Sequence, residues 1–173
     1  MQTFITSGPA VPWLAAFAAF GLLLLSGAAI HADLGRRCIP NSLCGAIAVL
    51  ALVYAVGEGG WSGLPNFAWR LVAVAVFALP LALLFVVRAM GGGDIKLLAA
   101  LMLWVPATDM PVMFAVTVAS GALIAIVLKL LSRVFCFVRA DTVPYGPAIL
   151  AGALCVLLPR FDGLATAVCM PLA

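Results

Sequence analysis

Charge is what this sequence has least of. Only 9% of its 173 residues are Asp, Glu, Lys or Arg, against about 25% in an ordinary soluble domain, and so sparse a set cannot cover a water-facing surface. A soluble globule is therefore excluded. No Lys or Arg occurs before Arg36, which removes the positive n-region that a secretory signal peptide needs, so the first apolar run is expected to remain as a helix. Histidine occurs once, as His31, and the five cysteines (Cys38, Cys44, Cys136, Cys155, Cys169) contain no C-x-x-C pair. A zinc site or a disulfide framework needs clustered ligands or paired thiols, so neither is supported and free thiols are expected. The net charge of +3 would point to nucleic acid only as a surface stripe, yet the basic residues sit at the ends of apolar runs, so nucleic acid is not an expected partner.

What the chain does have is hydrocarbon. It is 66% hydrophobic with a mean hydropathy of +1.28, and the apolar residues lie in unbroken runs such as Trp13 to Ile30 and Leu71 to Val87. Runs of that length cross a bilayer as helices. The fold class read from this pattern is an all-α integral membrane protein, a bundle of about six transmembrane helices with short loops. Residues 1–173 are expected to form a single transmembrane domain, with 1–11 as a short polar tail. Breaks at charges, Pro and Gly predict helices over 12–31, 43–57, 68–88, 95–108, 111–131 and 146–159. No internal repeat is evident.

Orientation follows from the basic residues, because positive charge is retained in the cytoplasm. Arg36, Arg37, Arg88, Lys96, Lys129, Arg133 and Arg139 fall after the first, third and fifth helices, and only Arg70 and Arg160 fall on the other side. Seven against two puts residues 32–42, 89–95 and 132–145 inside the cell, with Glu58, Asp109 and Asp162 outside. The predicted fourth helix of 14 residues would span about 21 Å, short of a hydrocarbon core of roughly 30 Å. Asp94 at its start can then be recessed into the membrane and still reached by water.

Asp33 and Asp94 stand out because this topology gives them the same side and a similar depth. A carboxylate near hydrocarbon costs several kcal/mol unless paired or wetted. If the two meet, the charge of one raises the pKa of the other and the pair holds one proton, an acid and a base in a single site. The ionised member could take a proton from water attacking a peptide carbonyl while the protonated member hydrogen-bonds the oxyanion, with no metal or cofactor needed. The plainer reading is that Asp33 pairs with Arg36 or Arg37 and Asp94 caps a helix. Gly91, Gly92 and Gly93 likewise serve either as a turn between helices or as bare backbone along which a substrate strand can lie. Pro40 should end the first helix close to Asp33.

Three segments in order resemble the type IV prepilin peptidases. Gly91-Gly92-Gly93-Asp94-Ile95-Lys96 matches their G-x-G-D-x-K motif; Asp33 followed by Ile39-Pro40-Asn41 matches their first aspartate segment; Val143-Pro144-Tyr145-Gly146-Pro147-Ala148 looks like their third landmark. The resemblance implies an aspartic endopeptidase with Asp33 and Asp94 as catalytic dyad. It implies Gly91, Gly92, Gly93, Lys96, Pro40, Asn41, Pro144, Tyr145 and Gly146 around the substrate or shaping the site, and no cofactor. Prepilins or pseudopilins with a short basic leader and an apolar helix would be the substrates, cut at the cytoplasmic face of a bacterial inner membrane. Membrane lipids and the pilus assembly machinery would be the other partners. The small size looks like the branch serving Flp or tight-adherence pili. Large bifunctional members carry a cytoplasmic domain with paired cysteines and also methylate the product, and this sequence has neither feature, so cleavage without N-methylation is expected. Gly35 stands where many short members have a basic residue.

The remaining polar residues have plainer readings. Lys96 should snorkel to lipid phosphate, since two positions from Asp94 it does not share a helical face. Arg36 and Arg37 bind anionic headgroups, at about 1 kcal/mol each, His31 is interfacial, and the ring of Tyr145 suits the headgroup level. Pro144 and Gly146 shape the start of the last helix, and Pro80 should kink the third. Two rivals remain on the residues alone. A presenilin-like intramembrane protease shares G-x-G-D but cuts within a helix, and a small proton-coupled transporter would use the two aspartates as a relay.

Overall fold

The computed structural model describes residues 11–36, 39–60, 63–87, 90–134 and 145–169, with the side chains at 34, 36, 84, 132–134 and 162–169 excepted. Within them the chain forms six helices and no strand: α1 (Pro12–Arg36), α2 (Asn41–Gly59), α3 (Gly63–Val86), α4 (Gly92–Met102), α5 (Met110–Val134) and α6 (Gly146–Cys169). The chain is a multi-pass membrane protein. α1, α2, α3 and α5 each contain an apolar stretch long enough to cross a bilayer, and Gly146–Phe161 of α6 is a shorter apolar helix. Arg37, Arg88, Arg139, Pro144, Cys38 and Cys136 lie outside the described residues, as do the side chains of Arg36, Arg133, Asp162 and Cys169.

Helix ends follow local chemistry. Pro12 opens α1 at the first helical position, where a missing N–H costs nothing. Pro40 precedes α2 in extended conformation (φ −63°, ψ 137°), and its carbonyl accepts from the amides of Leu43 and Cys44. α2 ends where Gly60 takes φ 57° and turns its amide back to the Val56 carbonyl, a left-handed position that favours glycine. Three boundaries differ from expectation in ways that matter. α1 continues past residue 31, so Asp33 lies inside the helix, and Pro40 directly precedes α2. α4 begins at Gly92, so two glycines of the triplet belong to its first turn and are not a loose turn between helices. The third boundary is the C-terminal end of α4, which stops at Met102 and not at 108.

α4 is therefore even shorter than expected, about 16 Å for its 11 residues. It is the centre of the bundle, packed against α2, α3 and α6, while α1 bridges α2 to α6 and α5 lies along α6. Leu97, Leu98, Ala100, Leu101, Met102, Leu103, Trp104 and Val105 are all buried. Non-helical backbone at membrane depth is tolerated only inside protein, and Leu103, Trp104 and Val105, the buried start of the segment after α4, meet that condition. Trp104 and Val105 donate their amides to Leu101 and Met102, the Trp104 indole donates to the Ile47 carbonyl at 3.0 Å, and Arg70 reaches the Leu103 carbonyl. Large side chains such as Phe17, Phe20, Leu79, Val86 and Leu123 point outward, where lipid covers them.

Hydrocarbon gives helices no hydrophobic reason to associate, so close packing of small residues carries much of the contact. Gly57 of α2 sits so close to α1 that a Cβ there would lie 2.7 Å from the Ala15 amide nitrogen. Gly27 of α1 has open space at the same position. Gly57→Ala is expected to destabilise by about 1–3 kcal/mol through overpacking, whereas Gly27→Ala should be neutral or gain up to ~1 kcal/mol from helix propensity. Thermal melting of both variants in detergent checks the contrast.

Candidate active site

The two aspartates arrive at one end of the bundle from different helices. Asp33 is in the last turn of α1 and is 6% exposed; its Oδ2 accepts the backbone amide of Gly146, the first residue of α6, at 2.8 Å. That places its carboxylate at a helix N-terminus, where unpaired amides and the macrodipole favour an anion. Gly146 is needed for the fit. A Cβ there would come within 2.6 Å of Asp33 Oδ2 and 3.2 Å of its Cβ.

Asp94 occupies the equivalent situation on α4. It is the third residue of the helix, behind the N-cap Gly91, so it is not itself the cap. Its carboxylate reaches back and hydrogen-bonds the Gly91 amide, as an acidic residue at the third helical position does in a capping box. Burial, then the charge of Asp33, push its carboxyl up to about 6, while the Gly91 amide opposes that rise. The second cause operates only if the two carboxylates lie within Coulombic reach of each other. No ion pair to Asp33 or Asp94 occurs among the described residues.

The glycine triplet faces three different neighbours. Gly91 is exposed and lies against the carboxylate of Asp94, Gly92 against Phe85 of α3, and Gly93 against Ile39 in the α1–α2 connection. Asn41, at the start of α2, accepts a hydrogen bond from Lys96 Nζ at 3.0 Å. Lys96 is thus tied to a second site residue while remaining exposed. Pro40 is exposed beside them. Tyr145 is half-buried and its ring fills the space over Gly121 of α5. His31 is exposed.

Below this cluster an apolar groove of about 480 Å³ runs between α2, α3 and α4, from Asn41 and Lys96 past Cys44 and Ala48 to Leu103. A second cavity of about 200 Å³ lies on the α1 and α6 side, near Ser26 and Leu154. Among the described residues no three His, Cys, Asp or Glu side chains converge as metal ligands would. At the opposite end of the bundle Glu58 pairs with Arg70 at 3.2 Å, and Asp109 with Arg160 at 3.0 Å.

Sequence reasoning named Gly146 only as a shaping residue and missed that its amide holds Asp33. The partners are 113 positions apart, and no local pattern signals such a contact. It likewise passed over Arg70 and Trp104 as partners of backbone carbonyls.

Residues 17–126 match the type IV leader peptidase family, a stretch that includes both aspartates and the glycine triplet. No curated protein and no solved structure matches the chain.

The electrostatic link between the aspartates is directly measurable. The protonated carboxyl band of Asp94, assigned by its loss in Asp94→Asn, should titrate in infrared difference spectra with a midpoint near pH 6. Asp33→Asn removes a charge that raises this midpoint, so the midpoint should fall. An unmoved midpoint would show the two groups to be independent.

Proposed function

Because the chain belongs to the type IV leader peptidase family, and is accordingly a membrane aspartic protease that cleaves prepilin leaders, we propose that Asp33 and Asp94 are its catalytic dyad. The observation that carries this is that two acids from separate helices, Asp33 in the last turn of α1 and Asp94 in the first turn of α4, stand at one end of the bundle, where burial and then the charge of Asp33 push Asp94 upward. In this reading Asp94, whose carboxyl is raised by burial and then by the charge of Asp33, carries the proton, and Asp33, fixed by the Gly146 amide, is the base.

In the proposed step Asp33 takes a proton from water as the water oxygen bonds to the scissile carbonyl carbon. Asp94 donates its hydrogen bond to the oxygen that becomes negative. Collapse of the tetrahedral intermediate breaks the C–N bond, and the proton held by Asp33 passes to the departing amine. A general base must hold its geometry to act. The Gly146 contact supplies that, since the carboxylate cannot rotate without losing its donor.

The substrate's apolar helix lies laterally against the bundle in this reading. The groove between α2, α3 and α4 begins at Asn41 and Lys96, within one turn of Asp94, so a helix seated there brings its upper end to the glycine triplet. Gly91 is exposed and has no side chain to obstruct a strand. Pro40, Asn41, Lys96, Pro144, Tyr145 and Gly146 shape the surroundings of the scissile bond. The dyad faces the cytoplasm of a bacterial inner membrane, a reading supported by the seven basic residues assigned to that side. The chain acts as a single transmembrane peptidase domain of the branch that serves Flp or tight-adherence pili, cutting without N-methylation, alongside lipids and the pilus assembly machinery.

Co-expression of a prepilin with Asp33→Asn or Asp94→Asn should leave the leader uncut, a loss of at least 1,000-fold by order of magnitude, as for removal of other essential catalytic groups. Mass spectrometry of the pilin N-terminus reads the cut and any methyl group together. Full processing by either variant removes the dyad. The pH dependence carries a definite sign. Above about pH 6 Asp94 loses its proton and with it the hydrogen bond to the oxyanion, so kcat/KM, which reports the free enzyme, should fall with rising pH. Substrate covering the site further desolvates the carboxyl, so the same limb in kcat should lie at higher pH.

A further inference from the structure

We infer that Arg70, at the far end of the bundle from the aspartates, is a positioning residue for the peptidase reaction, holding α4 at the depth that brings Asp94 to Asp33. This rests on the dyad reading above. Arg70 lies in the second turn of α3 and is 8% exposed. Its guanidinium is used on two sides: Nη1 donates to the Leu103 carbonyl at 3.4 Å and Nη2 to Glu58 Oε2 of α2 at 3.2 Å. Leu103 is the residue at which α4 ends. Carbonyls there have no intrahelical donor, and a cation at a helix C-terminus is favoured by the macrodipole.

A buried charge near hydrocarbon is expensive even when paired, and an apolar residue would serve simple packing as well. The geometry offers a reason for this one. α4 is too short to be held at both membrane surfaces, so lipid cannot set its depth. It is a rod of about 16 Å fixed at its upper end by Lys96 to Asn41 and at its lower end by Arg70 on Leu103 and Trp104 on the Ile47 carbonyl. Asp94 sits three residues from the upper end. A rigid helix transmits a shift at Leu103 to Asp94 almost undiminished. Without the guanidinium, the Leu103 carbonyl would turn toward whatever donor it could find, and α4 would slide or tilt with it. Glu58 holds the Arg70 guanidinium in its orientation; it touches neither α4 nor the aspartates among the described contacts.

The test uses the full-length protein with a prepilin substrate and three variants: Arg70→Lys, Arg70→Met and the double variant Glu58→Gln/Arg70→Met. The double variant removes both charges together, so it strands neither and keeps the test open should Arg70→Met fail to fold. Expected are a kcat at least tenfold lower in the folded double variant with KM within twofold of wild type, and a high-pH limb of kcat/KM moved toward lower pH, because a displaced Asp94 is wetter and farther from Asp33. Arg70→Lys, which can still donate to Leu103, should recover most of the kcat. A purely structural role would lower the melting temperature and leave the limb where it was. Wild-type kcat, or an unmoved limb, in the folded double variant overturns the inference. Failure of the dyad reading would look different: Asp33→Asn or Asp94→Asn would retain cleavage, whatever Arg70 does.

Discussion

A bilayer offers no hydrogen-bond partners, and that one refusal shapes this molecule. The helices that cross it satisfy their own backbone, but α4 stops after 11 residues and the chain continues to α5 through seven residues with no complete helical ladder. Those groups had to be answered by protein. The Trp104 indole, the Arg70 guanidinium and the tight amide contacts at Trp104 and Val105 are the answers, and they place α4 in the centre because only there are partners available on every side.

The same constraint creates the site. Asp94, in the first turn of α4, is buried enough for its carboxyl to be raised, yet stays partly exposed. Asp33 is buried more deeply, and the amide of Gly146 replaces the water it lost. Two helix N-termini, those of α4 and α6, thus hold two carboxylates that would otherwise repel without compensation. Glycine recurs at these places for a steric reason. At Gly146 a methyl group would occupy the space of Asp33 itself, and at Gly91 that of Asp94.

Much of the fold was legible along the chain. The apolar runs marked every helix, because span length is a property of contiguous residues. Helix ends were less legible. Asp33, Gly92 and Gly93 fell outside the helices read from the sequence, but α1 extends over Asp33 and α4 over the two glycines, since tertiary contacts with α6, α3 and Ile39 outweigh the poor helix propensity of glycine. Lys96 shows the same limit. Its distance from Asp94 along a helix was computable, whereas its hydrogen bond to Asn41 depends on how α2 and α4 cross.

The sequence by itself determined a multi-pass helical membrane protein and its family, and singled out Asp33 and Asp94 as candidates, because hydropathy and short motifs are written in neighbouring residues. Only the tertiary structure decided what each acid faces. That Gly146 holds Asp33, that Asp33 raises Asp94, and that Arg70 reaches the end of α4 are facts of helix crossing and depth. Such contacts join residues dozens to more than a hundred positions apart, and in lipid they are set by packing shape and by the need to satisfy polar groups, neither of which leaves a periodic trace in the chain.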